Sequence, residues 1–190
     1  MTIRYFFRLC LVMMIILSGS CRKDDPVNDN DKRWSVYLPA QVTTNLPVDL
    51  NFDGIRHTDL AQELPIDSIS IYVQRLTANP VLDINWIEPE FDNNIFLKVL
   101  PDTLSSSTTL KYLPAAQQYY YHFADGQKSM VPDKGLAINN GYYTFIVPDT
   151  VHINGNTLAF TTKQDLFVSK QSHKQILIMA TFNKAGEVNR

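Results

Sequence analysis

The sequence predicts an all-β domain, an antiparallel meander that forms either a small up-and-down barrel or a two-sheet sandwich. From Trp34 onward the apolar residues recur with a period of two, as in the segment SISIYVQ at residues 68–74. The extended segments are short, and turn signals such as Asn154-Gly155 separate them at spacings too tight for crossover helices. These observations indicate antiparallel pairing and leave barrel and sandwich both open.

The first twenty residues differ from the rest of the chain. Arg4 and Arg8 give the N-terminal region a positive charge. Residues 9–17 are then an unbroken apolar run, and the small residues 18–20 follow it. Crossing a bilayer needs about 20 apolar residues. The run is therefore too short for a span, and residues 1–20 are predicted to be a cleaved export signal.

Cys21 directly follows the small residues. Cys10 leaves with the signal, so Cys21 has no partner for an intramolecular disulfide. The segment LSGSC resembles a bacterial lipoprotein box, and CRKDD is similar to the export signal of surface lipoproteins of the Bacteroidota. This resemblance implies that Cys21 carries acyl chains such as palmitate, which anchor the protein to the outer membrane with the domain exposed at the cell surface.

Residues 21–33 are predicted to be a flexible tether. Residues 22–33 hold one apolar side chain among charges, Asn and Pro, and they reach at most about 40 Å when fully extended. A single domain then covers residues 34–190. Removal of Arg4 and Arg8 lowers the net charge of the chain from −2 to −4. We therefore expect no nucleic-acid partner.

The predicted strands of this domain are rich in Val, Ile, Tyr, Phe and Thr. In chain order they cover residues 36–38, 68–74, 95–100, 109–112, 118–123, 142–147, 151–153, 157–162, 166–169 and 175–182. The last of these is apolar on both faces, which predicts burial on both sides. One short helix is predicted near residues 58–64, with Thr58 as its cap and Pro65 as its stop.

Residues 48–65 resemble a segment of lipocalin-like lipoproteins of the Bacteroidota. The resemblance is based on three segments: the DLNFDG run with the Asp-Leu that follows it, the hairpin VHINGNTLAFT, and the final strand that ends in ATFNK. The usual Gly-x-Trp of the first strand is absent, because Trp34 lies in KRWSVYL. The resemblance implies a barrel.

The run DLNFDGIRHTD has the spacing of the first half of a calcium loop. Oxygen ligands are expected from Asp49, Asn51, Asp53, the carbonyl of Ile55, and either Asp59 or Glu63, whereas the usual Glu at position 12 is replaced by Leu60. The alternative is an Asx-rich turn that caps the short helix without metal. Both interpretations stay open, and Ca²⁺ would be structural in the first.

Two further groups of residues suggest chemistry. Tyr120 and His122 share one face of a strand, and with Trp86 they are candidate ligand-binding residues, because aromatic rings stack on sugars. Glu88, Glu90 and Asp92 could cleave a glycoside if suitably spaced, but Glu-Pro-Glu is expected to form a solvated loop.

Together these patterns favour a non-enzymatic, surface-anchored binding domain, with a glycan as the candidate ligand. A structural or assembly lipoprotein that docks to a surface protein through a sheet edge is the alternative, and a glycoside hydrolase is third. The four histidines lack metal-ligand spacing, and no nucleotide-binding or hydrolase fingerprint is present.

Overall fold

The computed structural model describes residues 33–74, 79–91, 95–96, 100–105, 110–137, 144–169 and 171–189. The predicted signal peptide, Cys21, the tether up to residue 32 and Asp92 lie outside these ranges. The strands are, in chain order, β1 (Arg33–Val48), β2 (His57–Asp59), β3 (Ser70–Gln74), β4 (Val81–Phe91), β5 (Ile95–Phe96), β6 (Leu110–Ala124), β7 (Ser129–Ala137), β8 (Phe145–Ile146), β9 (Val151–Asn154), β10 (Thr157–Ser169) and β11 (Ser172–Asn189).

Eight of these strands form a closed antiparallel barrel. Their order is β11-β1-β3-β4-β6-β7-β9-β10, and β10 pairs back to β11 over twelve residue pairs. Strand β2 pairs with β1, β5 with β4, and β8 with β10, outside this ring. The protein is therefore a small barrel, and closure removes the free edges that a sandwich would keep.

The interior is filled by every second side chain of the long strands. Ile71 and Val73 of β3 and Ile178 and Phe182 of β11 are fully buried, as the period-two pattern predicts. The prediction that the last strand is buried on both faces is wrong, because the Met179 side chain is 43% exposed. A closed sheet has one interior, so the other face of β11 meets solvent.

Several predicted segments join into longer strands. Residues 157–162 and 166–169 both belong to β10, and residues 110–112 and 118–123 both belong to β6. Pro114 interrupts the β6 pattern in the sequence, yet it stays in register opposite Ile87 of β4. Strands β4 and β7 were not among the predicted strands, because their charged and proline residues masked the alternation.

The predicted helix near residues 58–64 is not an α-helix. Residues 57–59 form β2 on the edge of β1, and one 3₁₀ turn follows at Leu60–Gln62. The cap is Asp59, whose Oδ1 accepts a hydrogen bond from the Ala61 amide at 3.1 Å. The Thr58 carbonyl instead accepts from Thr44 Oγ1. Pairing of Asp59 with Thr43 and the stop at Pro65 leave room for a single turn.

Candidate functional site

The loop after β1 is held by side chains that bond to its own backbone. Asp49 Oδ2 accepts from the Gly54 amide at 3.0 Å, and Asn51 Oδ1 accepts from the Asp53 amide at 3.0 Å. Asp53 Oδ1 accepts from the Ile55 amide at 2.7 Å. Gly54 has φ +88°, a conformation that favours glycine. These hydrogen bonds are the ones expected of an Asx-rich turn. They are also compatible with a bound cation.

The two acids that could close the predicted site have different roles. Asp59 caps the 3₁₀ turn through Ala61. Glu63 reaches back to the start of the loop, where its Oε2 accepts a hydrogen bond from the Leu50 amide at 2.8 Å. Across the described part of the chain, no three His, Cys, Asp or Glu side chains are grouped as metal ligands. The structure thus bonds Glu63 to the Leu50 amide, next to Asp49 in the chain, and uses Asp59 as the cap of the 3₁₀ turn.

Two carboxylate oxygens of this region are buried without a hydrogen-bond partner, Asp49 Oδ1 and Glu63 Oε1. The Glu63 residue is 5% exposed. Buried polar atoms are almost always paired, so two unpaired carboxylate oxygens in one region are unusual. The sequence indicates Asp49 and Glu63 as candidate ligands, but not that Glu63 rather than Asp59 returns to the loop at Leu50.

The candidate aromatic residues are separated by the barrel wall. Trp86 is 1% exposed in the interior, where its indole N–H donates to Gln164 Oε1 at 2.9 Å. Tyr120 is half-buried, and His122 is exposed on the outer wall, opposite Val131 of β7. Tyr120 and His122 remain a common surface, whereas Trp86 packs against Phe145 with a centroid distance of 4.8 Å.

The acids of β4 do not lie in the solvated loop that the sequence predicts. Glu88 is 1% exposed and Glu90 is 5% exposed, because both lie in β4, a strand that pairs with β3, β5 and β6. Glu88 Oε2 accepts hydrogen bonds from the amide and hydroxyl of Thr144 at 2.8 and 2.7 Å. Its Oε1 accepts from the Phe145 amide at 3.0 Å. Asp92, the third acid of the hydrolase interpretation, is outside the described residues.

Glu88 belongs to a buried polar network of the barrel. Burial raises the pKa of Glu88 to about 7, although the hydrogen bonds from Thr144 and Phe145 act in the opposite direction. Gln164 joins the network by donating to Thr144 Oγ1 at 3.1 Å and to the Ile87 carbonyl at 2.9 Å. The hydrogen bonds of Glu88 connect residues 144 and 145, at the start of β8, to strand β4. Glu88 therefore has a structural role.

A groove of about 480 Å³ crosses the outer wall at β9, β10 and β11. Thr150, Thr161 and Thr181 line it with hydroxyl groups, and His152 and Met179 also line it. Pairing of His152 with Ala159, and of Ala159 with Thr181, places small residues along the groove. The pattern of Thr and Ala on three separate strands does not identify this site in the sequence.

Asp149 contributes a carboxylate to the same groove. Lys134 Nζ donates a hydrogen bond to Asp149 Oδ1, which holds the pKa of Asp149 below its ordinary value. The groove therefore combines hydroxyl, imidazole and carboxylate groups with a thioether. Such a lining suits a polar ligand with many hydroxyl groups.

Comparison of the chain with protein-family models, curated proteins and solved structures gives no match. None of the helices in the described ranges is long and apolar enough to span a membrane. The proposals below therefore rest on the sequence and on the geometry of the described residues.

Proposed function

We propose that the chain is a non-enzymatic lipoprotein of the outer-membrane surface, anchored through Cys21, that binds a glycan on the outer wall of its barrel. The observation that carries the ligand site is the groove on the outer wall, which is lined by hydroxyl, imidazole and carboxylate groups. Phe160 stacks on Phe182 with a centroid distance of 5.6 Å, and Trp86 contacts both Phe145 and Phe160. The interior of an eight-stranded barrel has room for side chains or for one small ligand, and these rings occupy part of it. A polysaccharide is larger than such an interior, so we expect it on the outer wall.

The groove across β9, β10 and β11 is the preferred place for this ligand. Its volume of about 480 Å³ falls in the range of small-molecule sites. Hydroxyl and imidazole groups bond sugar hydroxyls in either direction, and Met179 offers an apolar contact. The Tyr120–His122 surface is the second place, since a half-buried ring with a polar edge also suits a sugar.

Two other functions have less support. Docking to a surface protein through a sheet edge needs a long unpaired strand, and among the described strands only the short β2, β5 and β8 lie outside the closed ring. A glycoside hydrolase needs carboxyl groups that reach its substrate. Glu88 is bonded inside the barrel to Thr144 and Phe145, away from any polysaccharide in solution.

The test is binding of the full-length lipoprotein, purified in detergent, to an array of surface and dietary polysaccharides. We expect one glycan class to bind, with the dissociation constant raised at least tenfold in His152→Ala and in Thr181→Val. Tyr120→Ala is the matched control on the other surface. If Tyr120→Ala alone abolishes binding, the ligand lies on the Tyr120–His122 surface instead.

The same preparation distinguishes the rival functions. An array without any bound glycan contradicts the binding proposal. Release of a chromophore from an aryl glycoside, lost in Glu88→Gln, would contradict the non-enzymatic proposal. Labelled palmitate that is incorporated in the native chain and absent in Cys21→Ser would support the anchor independently of the ligand.

A further inference from the structure

Asp49 and Glu63 hold the loop after β1 with one oxygen each and leave the other oxygen unpaired. Asp49 Oδ2 and Glu63 Oε2 accept from the amides of Gly54 and Leu50. Asp49 Oδ1 and Glu63 Oε1 are buried and accept no hydrogen bond. A buried carboxylate oxygen without a donor or a cation is costly. These two oxygens therefore point to a missing positive partner.

Glu63 and Asp49 are connected through one peptide unit of the loop. Glu63 binds the amide of Leu50, the residue that directly follows Asp49, with an N···O distance of 2.8 Å. Within the described part of the chain, neither Asp49 nor Glu63 forms an ion pair, in contrast to Asp149 with Lys134 and Glu187 with Lys184. Two neighbouring carboxylates repel each other unless a shared cation compensates their charge.

We propose that Asp49 Oδ1 and Glu63 Oε1 are the anionic ligands of one Ca²⁺ ion. This ligand set differs from an EF-hand, since Glu63 closes the site in place of a Glu at position 12 and Asp59 takes no part. Asn51 and Asp53 fold the loop through their bonds to backbone amides. Backbone carbonyls and water would complete the shell, as calcium takes six to eight oxygens.

The chemistry of the ligands selects calcium among biological cations. Both anionic donors are carboxylate oxygens, and the loop from Asp49 to Ile55 offers no imidazole or thiolate that would favour zinc. Magnesium prefers a rigid octahedron and keeps several waters. With two carboxylates, we expect a dissociation constant in the range of extracellular modules, about 10⁻⁴–10⁻³ M.

The test is isothermal titration of the full-length lipoprotein, freed of metal by a chelator, with Ca²⁺ and separately with Mg²⁺. We expect one Ca²⁺ site of millimolar or tighter affinity, a thermal midpoint that rises with Ca²⁺, and at least tenfold weaker Mg²⁺ binding. Glu63→Gln keeps an acceptor for the Leu50 amide but loses the charge. It should weaken Ca²⁺ binding at least tenfold, and Asp49→Asn should do the same.

Asp59→Asn is the matched control, because Asp59 lies in the same segment but is engaged with Ala61. This variant should bind Ca²⁺ as the native chain does. The proposal is overturned if the native chain shows no Ca²⁺ binding at 10 mM, or if Asp59→Asn weakens binding as much as Glu63→Gln. It is also overturned if Glu63→Gln stabilises the chain equally with Ca²⁺ and with chelator, which would indicate a shared proton. The glycan array is a separate measurement, so failure of either proposal is recognised by itself.

Discussion

Glu88 in β4 and Asp49 after β1 are both acids that follow apolar residues in the chain, and their environments are opposite. Glu88 lies inside the barrel, where both of its oxygens accept hydrogen bonds from Thr144 and Phe145. Asp49 lies at the start of a surface loop, where one oxygen accepts from Gly54 and the other has no partner. Both carboxylate oxygens of Glu88 accept hydrogen bonds from protein groups, whereas only one carboxylate oxygen of Asp49 does.

This difference indicates two uses of a carboxylate in one fold. Inside the barrel the acid accepts hydrogen bonds from the amides of residues 144 and 145 at the entrance to β8. In the loop the acids shape a turn, and we propose that their unpaired oxygens bind a cation. Substitutions should therefore affect folding at the first position and ion binding at the second.

The largest expected effect is the loss of Glu88. Glu88→Ala would leave the Thr144 and Phe145 amides buried without an acceptor and would open a cavity, so we expect the free energy of unfolding to fall by about 3–5 kcal/mol. Urea denaturation measures this. Asp53→Ala removes an acid of the exposed loop and should cost far less. Equal losses in the two variants would contradict the contrast between the regions.

The next effect is a pH dependence that belongs to Glu88. Its pKa in the folded chain is raised from 4.5 to about 7, so the folded state binds more protons than the unfolded state between these values. The free energy of unfolding should thus be highest below pH 4.5 for this group and fall by about 3 kcal/mol as the pH rises through 7.

The readout is the difference between the native chain and Glu88→Gln in urea titrations from pH 4.5 to 8. The amide does not ionise, so the variant should lose this part of the slope. Groups other than Glu88 contribute equally to both chains and cancel in the difference. Identical pH profiles for the two chains would show that Glu88 keeps an ordinary pKa in the folded state.

The smallest effect concerns the loop backbone. Gly54 has φ +88° and no atom within 4 Å of an added Cβ, so Gly54→Ala adds only backbone strain, about 1 kcal/mol. Gly186 of β11 has the same free space without a positive φ, and Gly186→Ala should be neutral or slightly stabilising. A thermal melt compares the two. A neutral Gly54→Ala would show that the loop does not depend on this conformation.

Much of the fold could be predicted from the sequence because alternation reports which side chains share a face. The pattern of β3 identified interior residues such as Ile71 and Val73, whereas that of β11, apolar on both faces, did not. The Asn154-Gly155 turn joins β9 to β10. Strand β4 was missed for a physical reason. Its acids and Pro89 are typical of a loop, and only pairing on both sides makes them strand residues.

The candidate sites were less predictable. The acids of the loop were recognisable by their spacing, but Glu63 and Asp59 were equivalent in the sequence. Their difference follows from the single 3₁₀ turn at Leu60–Gln62, which directs Glu63 back to Leu50 and leaves Asp59 as a cap. Trp86 was expected to contact a ligand, and it contacts Gln164 inside the barrel instead.

The sequence by itself determined the strand-rich class of the domain, the interior face of several strands and the acid spacing of the loop, since these follow from local periodicity and turn chemistry. It also predicts the processing site at Cys21. Only the tertiary structure decided barrel over sandwich, the burial of Glu88, the groove across β9, β10 and β11, and the return of Glu63 to the Leu50 amide. The physical reason is that these features depend on which distant strands pair, and a period of two gives the face of a residue but not its neighbour.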